Sequence, residues 1–190
     1  AFWLMVVTII IDAFDGFFAR LVDTKATLPK IDGALLDNIV DFFNYSVLAA
    51  FFILVIPSLV PHGWHIACAV MIILASCYQF TQADAKTADH FFKGFPSYWN
   101  ITVFYLFFWD VNTWINVGVI ILFTIGTFVP IKYVYPSRMD HLTKNNLLRR
   151  GMFLLTLLWG IATIGLLWDY PRVNIVYVVI SMGYIVVYLL

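Results

Sequence analysis

The side chains best able to do chemistry in this 190-residue sequence are four aspartates in two short stretches, "DAFDGFFAR" at 12–20 and "GALLDNIVD" at 33–41. Asp12, Asp15, Gly16 and Ala19 recur at i, i+3, i+4 and i+7, which is one face of an α-helix. Gly33, Asp37 and Asp41 recur at i, i+4 and i+8, again one face. The two helices are sequential, so the short connection between them makes them antiparallel. Asp12 lies eight residues before Arg20 and Asp41 eight after Gly33, about 12 Å in each case at 1.5 Å per residue. Both pairs therefore reach a similar depth from the same side and can converge in one cavity.

Four carboxylates in such a cavity cannot all stay charged without compensation, and Arg20 is the one cation within the pattern. Divalent cations would supply the missing charge. A donor set made only of oxygen favours Mg²⁺, Mn²⁺ or Ca²⁺ over zinc. Gly16, Ala19 and Gly33 share the acidic faces and leave room for a ligand against the backbone, or for close helix packing. A single aspartate in an apolar helix is commonly a pairing or snorkelling residue. Four at aligned spacing, beside three small residues, point instead to a ligand.

The elements that must hold these residues are strongly apolar. The sequence is 63% hydrophobic and 12% charged, with a mean hydropathy of +0.91, too apolar for the surface of a soluble domain of this size. The runs do not alternate apolar and polar residues, which excludes a membrane β-barrel. Seven apolar segments stand at roughly 1–21, 34–57, 64–83, 97–110, 112–135, 147–168 and 172–190, several of them near the ~20 residues that cross a bilayer. The expected fold is all-α, a polytopic transmembrane bundle forming a single integral-membrane domain over 1–190 with seven spans visible. The chain begins inside an apolar run without Met, so a preceding helix, giving eight spans in all, is also expected. Cys68 and Cys77 are nine residues apart on one segment, about 13 Å along a helix, too far for a disulfide.

Charge sets the orientation. Arg20, Lys25, Lys30, Lys86, Lys93, Lys132, Arg138, Lys144, Arg149 and Arg150 fall at alternate connections, and Arg172 is the one cation left on the other side. The cation-rich side is the cytoplasmic one. Trp3, Trp64, Trp109, Trp114 and Trp168 flank the opposite edge as an interfacial belt, and Trp99 breaks that pattern. The net charge is zero, which gives no reason to expect a nucleic-acid partner. Intramembrane carboxylates also occur in cation-coupled transporters, but those often carry inverted repeats, and no repeat is visible here.

Asp12-x-x-Asp15-Gly16-x-x-Ala19-Arg20 followed by Gly33-x-x-x-Asp37-x-x-x-Asp41 resembles the signature of the CDP-alcohol phosphatidyltransferases, with all eight signature residues present. The twelve residues between Arg20 and Gly33 are more than is usual in that family and look like its bacterial branch that uses choline. The stretch "HFFKGFPSYWN" at 90–100 also resembles that branch, and its core Phe92-Lys93-Gly94-Phe95-Pro96 is similar to a segment of the bacterial phosphatidylserine-forming enzymes. The resemblance implies metal-dependent transfer of the phosphatidyl group from CDP-diacylglycerol to choline, giving phosphatidylcholine and CMP, in the inner membrane with the site facing the cytoplasm. The other acceptors found in the family are alcohols such as serine or inositol. By the same resemblance Asp12, Asp15, Asp37 and Asp41 hold divalent metal, two ions of Mn²⁺ or Mg²⁺, and Asp41 is the general base. Asp12, Gly16, Ala19, Arg20 and Gly33 would bind the CDP moiety. Choline is a quaternary ammonium and is usually held by aromatic faces; Tyr45, Tyr98 and Trp99 are the candidates near the cytoplasmic edge. Family members are often homodimers, and the resemblance extends that expectation to this chain.

Overall fold

Polar residues at the ends of the apolar segments mark where four of the helices begin. Asp32 accepts from the backbone N–H of Ala34 at 3.0 Å and Leu35 at 3.1 Å. Asn112, Asn145 and Asn174 do the same for Trp114, Leu147 and Val176, at 2.9, 2.9 and 3.0 Å. Each satisfies an amide that the first helical turn leaves without a partner. The computed structural model of the chain describes residues 2–22, 30–87, 89, 91–134 and 145–189, without the side chains of 13, 15–20, 188 and 189. The chain is mostly helical, with seven helices among the described residues. They are α1 (Phe2–Leu21), α2 (Gly33–Val55), α3 (His65–Thr81), α4 (Trp99–Trp109), α5 (Thr113–Phe128), α6 (Asn146–Asp169) and α7 (Ile175–Leu189).

Each expected apolar segment holds one helix, but the lengths differ from the expectation. Among the described residues, the helices both long and apolar enough to cross a membrane are α2, with 23 residues, and α6, with 24. Helix α4 has 11 residues, about 16 Å at 1.5 Å per residue, against a hydrocarbon core of about 30 Å. Asp110, at φ +43°, ends it in a left-handed turn.

The chain divides into two compact units. The first comprises residues 1–85 and 94–130. Its core runs through α2, α3, α4 and α5. Ala49 and Ala50 on α2 and Cys68, Ala69 and Ala75 on α3 are buried small residues that let helices approach closely, and Phe52, Ile53, Ile72, Trp99, Val103 and Ile120 fill the space around them. Phe2 stacks on Phe52 at 4.9 Å and ties the start of α1 to the core. Asn116 donates from Nδ2 to the Leu59 carbonyl at 2.7 Å and fixes α5 to the loop after α2. Trp64 and Trp114, both expected at one membrane edge, meet edge to face at 5.5 Å.

The second unit comprises residues 86–93 and 131–190 and adds a short strand ribbon to an otherwise helical chain. Here β1 (Phe91–Lys93) pairs antiparallel with β2 (Lys132–Val134), with Phe92 opposite Tyr133 and Lys93 opposite Lys132. The fifth apolar segment had been expected to stay helical to 135. Helix α5 stops at Phe128 because Pro130 cannot continue it and disfavours helical backbone before it. Lys93 and Lys132 face each other as like charges, an unfavourable cross-strand pair. The Lys132 ammonium instead donates to the Asp89 carboxylate, and that hydrogen bond holds Asp89 below the usual carboxylate range. Helices α6 and α7 pack together, with Tyr177 lying directly against Gly165. Much of α6 is nonetheless apolar and exposed, including Leu147, Phe153, Leu154, Leu157, Ile161 and Trp168, more than a water-facing surface tolerates.

The chain enters α4 through Gly94, at φ +75°. A Cβ there would collide with the Thr127 carbonyl oxygen. The close approach lets Phe95 donate its N–H to the Gly126 carbonyl at 3.1 Å and stack on Phe123 at 4.6 Å. Gly63 has a similar φ of +87° but open space around it. Replacing Gly63 with Ala should cost only the left-handed strain, about 1–2 kcal/mol, whereas Gly94→Ala adds a steric collision. Thermal unfolding of the purified protein in detergent should show G94A with much the larger loss; equal losses would remove the close approach as the reason for glycine at 94.

Candidate active site

Helix α1 contributes Asp12, and α2 contributes Asp37 and Asp41. One carboxylate oxygen from each lies within 4.8 Å of the others. Asp12 and Asp41 are half-buried and Asp37 is exposed, so the cluster has a closed wall and an open one. The Asp32 cap starts α2 and so fixes the rotation of the stripe Gly33–Asp37–Asp41.

Helix α2 is not regular. It is α-helical over Gly33–Phe42, widens to a π turn over Phe43–Val47, where the Leu48 N–H reaches back to the Phe43 carbonyl, and resumes as α-helix over Leu48–Val55. In a regular helix each i, i+4 step drifts about 40° around the axis. The wider turn offsets that drift, so Tyr45, four residues past Asp41, stays on the carboxylate side. Its phenol donates to Asp12 Oδ2 at 3.0 Å. The other oxygen, Asp12 Oδ1, is buried and has no hydrogen-bond partner among the described residues. The Tyr45 ring stands 6.1 Å from that of Tyr98, tilted by 58°, and Tyr98 is the residue that caps α4.

A buried carboxylate oxygen without a donor is costly unless a ligand completes it. Oxygen ligands on opposite sides of an ion at about 2.0–2.6 Å stand roughly 4–5 Å apart, which matches the spread of the three carboxylates. Asp12, Asp37 and Asp41 therefore fit a hard divalent cation, while its identity and number are not fixed by their geometry.

The other expected site residues separate into groups. Asp15, Gly16, Ala19 and Arg20 belong to the backbone of α1, but their side chains lie outside the described residues. Gly33 is exposed at the start of α2, and a Cβ there would meet nothing within 4 Å. Tyr45 and Tyr98 come together beside Asp12. Trp99 is fully buried and meets Phe95 at 5.1 Å and Phe123 at 6.4 Å; core packing accounts for its departure from the tryptophan belt. Three features were not anticipated: the Asp32 cap, the π turn, and the contact between Tyr45 and Asp12. The first was readable as an aspartate immediately before an apolar-periodic run.

Comparison with known proteins agrees with this geometry. The family model described as CDP-alcohol phosphatidyltransferase matches residues 1–129. A phosphatidylcholine synthase of Legionella pneumophila is 50% identical over 189 residues, covering 100% of this chain and 74% of that protein. One from Legionella bozemanae is 47% identical over 189 residues, covering 100% of the chain and 87% of its own. One from Rhizobium johnstonii is 33% identical over 186 residues, covering 98% and 75%. No solved structure matches the chain. The matched family is generally dependent on divalent metal.

Metal binding should stabilise the folded chain. At a hundredfold excess over Kd the gain is about 2.7 kcal/mol, a rise of several degrees in Tm. Mn²⁺ should produce that rise in the wild-type protein and little of it in D37N; an equal rise in both would remove Asp37 from the ligand set.

Proposed function

The chain belongs to the CDP-alcohol phosphatidyltransferase family, a family of transferases, and on that premise we propose that it transfers the phosphatidyl group of CDP-diacylglycerol to choline. The observation that carries the reading is the convergence of the Asp12, Asp37 and Asp41 carboxylates within 4.8 Å, with two tyrosine rings beside them. Choline as the acceptor is supported by relatives named phosphatidylcholine synthase that are up to 50% identical over the whole chain.

Divalent metal, taken as two ions of Mn²⁺ or Mg²⁺, would when bound supply the positive charge that offsets the substrate diphosphate and the leaving CMP. Asp12, Asp15, Asp37 and Asp41 are the proposed holders. Asp41 takes the proton of the choline hydroxyl as its oxygen attacks the phosphorus that carries diacylglycerol. The new P–O bond forms as the bond to the bridging oxygen breaks, and that oxygen leaves with CMP. Gly33 leaves space for the nucleotide against α2, with Gly16, Ala19 and Arg20 proposed on the facing helix. The rings of Tyr45 and Tyr98 offer π faces to the trimethylammonium group. Trp99 is retained only as part of the packing behind this region.

We read the two units as one integral-membrane domain, with all seven helices as spans in the bacterial inner membrane and the aspartates opening to the cytoplasm. The sorting of ten of the eleven Lys and Arg to one side and the exposed apolar length of α6 support this.

The test is the purified protein with CDP-diacylglycerol, Mn²⁺ and labelled choline, serine or inositol. Labelled lipid is expected from choline alone, and lipid from serine but not choline would overturn the acceptor. D41N should fold normally yet lose at least a hundredfold in turnover, the usual lower bound for a general base; near-normal turnover would remove that role.

A further inference from the structure

Asp12 differs from a free carboxylate in having its two oxygens in opposite situations. Oδ2 accepts a hydrogen bond from Tyr45 at 3.0 Å, while Oδ1 is buried with no hydrogen-bond partner among the described residues. A phenol bonded to one oxygen stops the carboxylate from rotating and discourages two-oxygen chelation, which would sacrifice that bond. We propose that Tyr45 is a positioning residue: its hydroxyl locks Asp12 so that Oδ1 alone is presented, as a single-oxygen ligand, to the divalent metal shared with Asp37 and Asp41.

The inference rests on the metal-binding reading of the aspartates and goes beyond it by assigning the second oxygen and the residue that controls it. Two observations make the contact a built one. The first is the π turn at Phe43–Val47. Such turns break the regular hydrogen-bond ladder and occur frequently at functional sites, and this one keeps Tyr45 on the side of the carboxylate stripe. The second is that the Tyr45 ring is itself flanked by Tyr98 at 6.1 Å, on a different helix. A hydrogen bond to an ionised acceptor is roughly twice as strong as a neutral one, and groups that hold metal ligands in this way typically govern metal affinity by 10- to 100-fold when removed.

The role belongs to the hydroxyl, whereas any contact with a quaternary ammonium belongs to the ring. Tyr45→Phe separates them. Mn²⁺ binding is measured without substrate, from the free-ion electron paramagnetic resonance signal, on the purified full chain in detergent. Wild type should bind Mn²⁺. Y45F should keep its metal-free Tm and bind Mn²⁺ about tenfold or more weakly. In turnover it should need about tenfold more Mn²⁺ for half-maximal rate. In the D12N background, Y45F should change Mn²⁺ affinity no further, because the proposed role of the hydroxyl runs through Asp12.

Should Y45F fail to fold, 4-fluorophenylalanine at position 45 fills the hydroxyl's volume without donating, and 4-aminophenylalanine restores a donor. The first should lose metal affinity and the second recover it. Unchanged Mn²⁺ affinity in the donor-free chain, or an equal loss in the D12N background, overturns the proposal. Wild type that binds no Mn²⁺ overturns the metal reading itself, and a wild type that binds Mn²⁺ but does not use choline overturns only the acceptor.

Discussion

Everything in the first unit bears on one constraint, the gathering of negative carboxylates in a small space. Two unit charges 4.8 Å apart, the spread of the cluster, repel by about 3–4 kcal/mol at an effective dielectric near 20. That force pushes α1 away from α2 and has to be resisted before any cation arrives. The resistance comes from packing at a distance. Phe2 on Phe52 and the buried Met5 anchor α1 at the end away from Asp12, and the alanine-lined contact of α2 with α3 anchors α2 beyond its π turn. The charged ends are thereby held near each other by apolar surface that takes no part in the chemistry, which is how a site is kept ready for its ligand.

The π turn divides α2 into two parts with different duties. No residue of Gly33–Phe42 is buried, whereas Ala49, Ala50, Phe52 and Ile53 are buried in Leu48–Val55. The first part carries ligands and stays open to substrate; the second is core. Ser46, inside the turn, is buried, so the irregular segment is seated against the rest of the unit. A regular helix would have carried its apolar face and its acidic face at one fixed angle for its whole length. One widened turn lets the two faces be set independently, each toward what it must meet.

The spacing rules made half of this legible. The closeness of Asp12, Asp37 and Asp41 is what the helical recurrences suggest, and each of the seven apolar segments contains a helix among the described residues because long apolar runs bounded by Asp, Asn and Pro leave few other options. The π turn left no mark, since "DFFNYSV" reads as ordinary apolar helix in either register. The Tyr45–Asp12 bond joins residues 33 apart in sequence, and no local pattern encodes such a pair. The strand ribbon was invisible for the same reason, as three-residue strands are too short to show a period and their partners lie some forty residues apart. Trp99 was noticed for leaving the tryptophan belt, a real signal whose physical cause is burial among Phe95 and Phe123 rather than contact with water.

The family model ends at residue 129 and the first unit at 130, while the Legionella relatives align over 189 residues. Residues 91–98 run from β1 through the Gly94 turn, against the Thr127 carbonyl, to Tyr98, whose ring stands beside that of Tyr45. Through Tyr45 it touches Asp12. Tyr98 and Asp12 are thus two contacts apart, and a change at the first has a short physical route to the second.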